Sequence, residues 1–132
     1  MGKAMNILIL DDSKTRHKIL ARRFLNHNVV AVYTYNEFVE KLDCQYDLMM
    51  LDHDLEEHDN PSSYIDGWKK KQYYTGMHAA MRVCELDDKL KPKQVIIHSL
   101  NPAGAKVMQI DLEKASIEVV LEPFNYKDDE LK

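Results

Sequence analysis

MNILILDDSKTRHKILARRFLN, residues 5–26, decides the fold. Residues 5–10 form a short, nearly continuous apolar run, the pattern of a strand buried on both faces. Two aspartates, Asp11 and Asp12, end that run. Ser13 then stands as N-cap of a segment in which Ile19, Leu20, Phe24 and Leu25 fall at helical spacing. A buried strand that passes directly into an amphipathic helix is the repeating unit of an α/β sheet.

The pattern recurs along the chain. NVVAVY (28–33) reads as a second strand and NEFVEKL (36–42) as a second helix, with Phe38, Val39 and Leu42 on one face. YDLMML (46–51) reads as the third strand. GMHAAMRVCEL (76–86) reads as a helix that turns Met77, Ala80, Met81, Val83 and Cys84 toward the core. KQVIIH (93–98) is the fourth strand. NPAGAKVMQIDLEKA (101–115) is a helix with Asn101 as N-cap and Pro102 in its first turn. IEVVL (117–121) is the fifth strand. Residues 56–74 read as a long polar loop, and residues 122–132 as a polar tail too short and too charged for a full helix. Five alternations predict one α/β sandwich, a parallel sheet with helices on both faces.

The chain has 132 residues, enough for a single domain. Residues 1–4 read as an appended or flexible start, with Met5 as a candidate natural first residue. A net charge of −4 excludes a whole-molecule attraction to nucleic acid or anionic membranes. No apolar run approaches the ~20 residues of a membrane span, and the first residues lack the design of a secretory signal. Cys44 and Cys84 suggest no disulfide framework. A reduced, cytoplasmic protein is the expectation.

Ligands of open α/β sheets are met beyond the carboxyl ends of the strands. There the chain places Asp11 and Asp12 after the first strand, and Asp52, His53 and Asp54 after the third. His98, Ser99 and Asn101 come after the fourth, and Glu122 after the fifth. The first, third and fourth strands are expected to be neighbours. Helix N-termini at Ser13 and at Asn101–Pro102 offer sites for phosphate. Gly104 permits close approach of a ligand or backbone, and Arg16 leans back toward the same edge. Crowded carboxylates repel unless a cation or protons intervene.

ILILDD, YDLMMLD and VIIHS resemble the strand ends of two-component receiver domains. That resemblance implies Mg²⁺ at Asp11–Asp12, a phosphate-accepting Asp52 and a phosphate-contacting Ser99. Receivers also carry a Lys before a Pro after the fifth strand. LEPF puts Glu122 there, and a Glu would repel the phosphoryl group that the Lys pairs with. Three further segments, DDSKTR (11–16), LDHDL (51–55) and HSLNPAG (98–104), with Thr75–Gly76 before the third helix, resemble the cyclic-phosphate-processing receiver domains. This likeness spans roughly the whole chain. It implies a receiver-like (flavodoxin-like) three-layer sandwich of strand order 2-1-3-4-5, with the last helix reduced or absent. It also implies an activity on cyclic phosphates such as RNA 2′,3′-cyclic ends.

These residues suit phosphoester chemistry. His53 and His98 are the candidate base and acid, because imidazole titrates near working pH. Asp52 and Asp54, with Asp11, are candidates to orient and polarise them. Arg16, Ser99, Asn101 and Gly104 are the candidate phosphate contacts. Asp11, Asp12 and Asp52 are the candidate ligands of a divalent metal, Mg²⁺ or Mn²⁺. Metal-assisted and metal-free routes both stand at this point. The expected partner is a small phosphorylated ligand or an RNA terminus, with no membrane and no output domain in this chain. The alternatives are a non-catalytic pseudo-receiver and, less favoured, a conventional phospho-accepting regulator. His17, His27, His58 and His78 read as structural or surface histidines. Trp68, Tyr73 and Tyr74, interleaved with Lys69, Lys70 and Lys71, suit either a nucleotide-gripping lid or a solvated loop.

Overall fold

The computed structural model describes residues 3–55, 63–65, 70–72 and 75–123. His58, the side chains of the proposed lid (residues 68–71, 73 and 74) and the tail from residue 124 onward lie outside the described residues.

Five parallel strands form the sheet: β1 (Asn6–Leu10), β2 (Asn28–Val32), β3 (Leu48–Leu51), β6 (Gln94–Ile97) and β7 (Glu118–Leu121). Between β3 and β6 lie two short strands, β4 (Ser63–Ile65) and β5 (Lys70–Gln72). The helices are α1 (Lys14–Arg23), α2 (Tyr35–Glu40), α3 (Gly76–Cys84) and α4 (Pro102–Lys114). The sheet order is β2-β1-β3-β6-β7, the expected 2-1-3-4-5 of the five main strands.

Pairing in register, Ile7 with Leu48 and Leu48 with Gln94, puts the ends of β1, β3 and β6 side by side. Successive side chains alternate faces, so each central strand feeds two cores. Leu8, Leu10, Met49, Leu51, Val95 and Ile97 pack with Phe38, Ala79, Ala80, Val83, Met108 and Leu112 of α2, α3 and α4. Ile7, Ile9, Leu48 and Met50 pack with Ile19 and Leu20 of α1. No helix among the described residues is long and apolar enough to cross a membrane.

Several expectations need correction. Helix α1 ends at Arg23, so Leu25 lies beyond it and is 77% exposed. Met81 is 49% exposed, because Ala79, Ala80 and Val83 already cover the seam with α4 and Met81 falls outside that stripe. The segment read as loop throughout contains an antiparallel ribbon, with Ser63 paired to Gln72 and Ile65 to Lys70. His78 is more than a polar-face residue: its Nδ1 accepts the Thr75 N–H at 3.0 Å, closing a capping box in which Thr75 caps α3. At the far end of α4, Ser116 takes φ 66°. The Ile117 N–H bonds Leu112 O at 3.1 Å and the Ser116 N–H bonds Glu113 O at 3.0 Å. That is a Schellman closure with serine in the left-handed position glycine usually fills.

Candidate functional site

Asp11 ends β1 fully buried beneath the carboxyl edge. Its Oδ1 accepts the Ser13 N–H at 2.8 Å and Arg16 Nη2 at 2.8 Å. Its Oδ2 accepts Arg16 Nε at 2.6 Å and His98 Nε2 at 2.8 Å. Burial pushes the carboxyl up, but the bonds from His98 and Arg16, with His98's charge and the Ser13 amide, hold it well below the usual carboxylate range. Its carbonyl is fixed too. His17 is buried under the strand end, and its Nε2–H donates to Asp11 O at 2.8 Å and Val32 O at 3.0 Å.

Arg16 is placed by its helix. Ser13 caps α1 by accepting the Arg16 N–H at 3.2 Å, and the side chain turns back over the first turn. Besides its bonds to Asp11, Nη2 lies 3.4 Å from Asp12 Oδ1 and 3.3 Å from Asp52 Oδ2. One guanidinium thus serves carboxylates from two strand ends.

Asp52 comes directly after β3 and is only 5% exposed. Burial first, then the charge of Asp11, push its carboxyl up to about 7. Arg16 offsets part of this, and Asp12 and Asp54 add to it. His53 points elsewhere. Its Nδ1 is 2.7 Å from Asp54 Oδ1, and its ring lies against Gly104. A Cβ on Gly104 would sit 2.5 Å from His53 Cδ2. The His53 bond, with help from Asn101 Nδ2 at 3.3 Å, lowers the Asp54 carboxyl. Gly76 holds the strand end from the other side: its N–H donates to His53 O at 2.8 Å, and a Cβ there would overlap the Asp52 carbonyl.

His98 is 2% exposed, and its Nδ1 has no hydrogen-bond partner among the described residues. Asn101 caps α4 through Oδ1, which accepts the Gly104 N–H at 2.9 Å. Ser99 Oγ accepts the Asn101 N–H at 3.0 Å.

Above these groups opens a pocket of about 430 Å³ lined by Asp12, Arg16, Asp52, Asp54, Leu55, His98 and Leu100. Five of the residues singled out in the sequence therefore share its wall, with Asp11 directly beneath. His53, Asn101 and Gly104 form the adjoining flank at the start of α4. Ser99 instead lines a neighbouring apolar cavity with Ile97, Leu100 and Ala105. The sequence reading missed the apolar rim, Leu55 and Leu100, because a leucine after a strand looks like ordinary core. It also missed His17 as the support of Asp11. Glu122 donates its N–H to Ile97 O at 3.0 Å and lies 3.4 Å from Arg23, so an acid, not a lysine, stands at the end of β7.

Oxygens of Asp11, Asp12 and Asp52 lie within 4.8 Å of one another. Three carboxylates are hard donors, the set that suits Mg²⁺ or Mn²⁺ better than zinc. The donor chemistry fits the expected ion.

Comparison with known proteins now decides the family. The sequence matches the cyclic-phosphate processing receiver domain over residues 6–114. The chain belongs to this family. No curated protein sequence matches it. Among solved structures, this receiver is similar to the BeF3-activated DrrB receiver domain at 18% identity, over 98% of this chain and 91% of that one, with TM-score 0.62. It is similar to the response regulator TrrA from Thermotoga maritima in complex with Mg(2+)-BeF at 16% identity, over 96% and 91%, with TM-score 0.64. A third likeness is to the Mn(2+)-bound response regulator Rcp1, at 17% identity over 96% and 88%, with TM-score 0.62. At such identities the likeness establishes the fold of the receiver, a flavodoxin-like sandwich.

Proposed function

We propose that this receiver domain is a phosphoesterase that opens a cyclic phosphate, an RNA 2′,3′-cyclic end or a cyclic nucleotide, in the pocket at the carboxyl edge. One observation carries the proposal. Two histidine–aspartate pairs, His98–Asp11 at 2.8 Å and His53–Asp54 at 2.7 Å, stand beside a pocket that also holds a guanidinium. Phosphate recognition alone needs the cation; it has no use for two oriented imidazoles.

In the reaction, water oxygen attacks phosphorus and one ring P–O bond breaks. The departing ribose oxygen takes a proton, leaving a phosphomonoester. Asp54 accepts the His53 Nδ1–H, which leaves Nε2, packed beside Gly104 on the flank of the pocket, as the atom able to take the proton from water. His98 lines the pocket with its Nε2 held by Asp11, and it is the candidate donor to the leaving oxygen once a turn of the ring brings its buried Nδ1 to the pocket. Arg16 lines the pocket where it can pair with phosphoryl oxygens. Asp11, Asp12 and Asp52 would hold Mg²⁺ or Mn²⁺, which when bound supplies positive charge to the phosphoryl oxygens.

A second reading, a non-catalytic module, is favoured by Arg16, which already offsets part of the acidic charge. Conventional phospho-acceptance is disfavoured by Glu122. The deciding experiment incubates the protein with a panel of cyclic phosphates, with Mn²⁺ and with EDTA, and monitors monoester by ³¹P NMR. Turnover of any member supports the enzyme. No turnover across the panel, with binding retained, establishes the module. A hydroxylamine-sensitive acyl-phosphate that Asp52→Asn abolishes would restore the phosphorelay reading.

A further inference from the structure

The three aspartates that fit a metal ion are the same three that Arg16 touches. Nη2 lies 2.8 Å from Asp11 Oδ1, 3.4 Å from Asp12 Oδ1 and 3.3 Å from Asp52 Oδ2. These distances describe a nitrogen placed among converging oxygens, not a cation that leans on one of them. A divalent ion ligated by the same carboxylates needs contacts of roughly 2.0–2.6 Å, depending on the ion. An ion so placed leaves no room for Nη2 among those oxygens. Two positive groups cannot share so small a volume in any case.

We propose that Arg16 and a divalent cation are alternative occupants of the Asp11–Asp12–Asp52 cage. Arg16 is the protein's own cation there in the metal-free state, and metal entry turns its guanidinium out along the pocket wall. The inference rests on the reading of these aspartates as a metal cage, and it adds a consequence for the phosphate. With Arg16 in the cage, the pocket presents Asp12, Asp52 and Asp54 to an incoming anion, and the one guanidinium is already engaged. With metal in the cage, the carboxylates are matched and Arg16 is available to the pocket that it already lines. Metal then precedes phosphate, and the same arginine serves in turn as lock and as ligand. The paired bonds from Nε to Asp11 Oδ2 and from Nη2 to Asp11 Oδ1 are the contacts that have to break. Ser13 and α1 keep the Arg16 backbone in place, so the change is confined to the side chain.

The test needs no substrate, so it is independent of whether the protein turns anything over. Calorimetric titration with MnCl₂ and with MgCl₂ compares wild type with Arg16→Met, which keeps the stem and removes the charge. The variant should bind Mn²⁺ about 10-fold or more tightly, the scale expected when a charge-assisted competitor worth over a kcal/mol is removed. Equal or weaker binding by the variant overturns the proposal. No binding by either protein overturns both the exclusion and the metal cage. A second measurement uses wild type alone, which guards against a variant that fails to fold. The Arg16 Nε–H resonance, assigned by NMR, should lose its Asp11-bonded shift as Mg²⁺ saturates the site. A resonance that stays in place at saturation overturns the proposal.

Discussion

Replacing Asp52 with asparagine should stabilise the metal-free protein, and by an amount that grows with pH. Folding raises the Asp52 pKa from 3.8 to about 7. A carboxyl raised on folding is favourable while protonated in both states. It loses stability as pH climbs from the unfolded value, where the unfolded chain begins to gain by ionising, and the loss levels off above the folded value. At about 1.4 kcal/mol per pKa unit, the full penalty is on the order of 4 kcal/mol. Near pH 5 about a third of it has accrued, and above pH 8 all of it. The advantage of Asp52→Asn over wild type should therefore widen by about 3 kcal/mol between pH 5 and pH 8.5. Asp11 does not confuse the comparison. Its folded pKa is depressed, so its contribution is complete above the unfolded value and is lost only in stronger acid. Any fixed cost of placing an amide beside Arg16 shifts both pH values alike and drops out of the difference. Urea melts in EDTA at the two pH values measure it. A gap that stays constant or narrows would refute the reading of Asp52 as a buried carboxyl crowded by Asp11.

If the protein cleaves a cyclic phosphate, His53→Ala and His98→Ala should each lower turnover by ~10²- to 10⁴-fold, whereas His78→Ala should leave it unchanged and lower thermal stability through the lost cap. Gly104→Ala should displace the His53 ring and depress activity with the fold kept, seen as reduced kcat with a native circular dichroism spectrum. Gly76→Ala meets backbone at Asp52 instead and should cost stability, read in the same urea melts. Ser116→Gly should raise stability by roughly 1 kcal/mol, because glycine takes the left-handed conformation without the Cβ penalty; an unchanged melting temperature would contradict this.

The fold was legible because residues 7–10 and 48–51 are uninterrupted apolar runs with no solvent face, and such strand patterns alternate with helical ones along the chain. The site was legible by the same route, since the polar residues at the carboxyl ends of the strands include Asp11, Asp12, Asp52, Asp54 and His98. Direction was not written in the sequence. Neighbours along a strand point to opposite sides, so His53 went to α4 while Asp52 turned inward beside Arg16. The β4–β5 ribbon escaped notice because Lys70, Lys71 and Gln72 carry no apolar alternation. Leu25 and Met81 misled because helical spacing does not state where a helix ends or how much of its stripe the neighbour covers.

His53 and Gly104 divide a single volume between them, an imidazole on one side and a bare α-carbon on the other. Neither residue can therefore be exchanged as an independent letter. An alanine at position 104 calls for something slimmer than histidine at position 53, and a slimmer residue at position 53 leaves a void that invites a side chain at position 104. The two positions, 51 apart in the chain, amount to one choice. A library that randomises them together should return viable combinations that single-site scanning of either would discard.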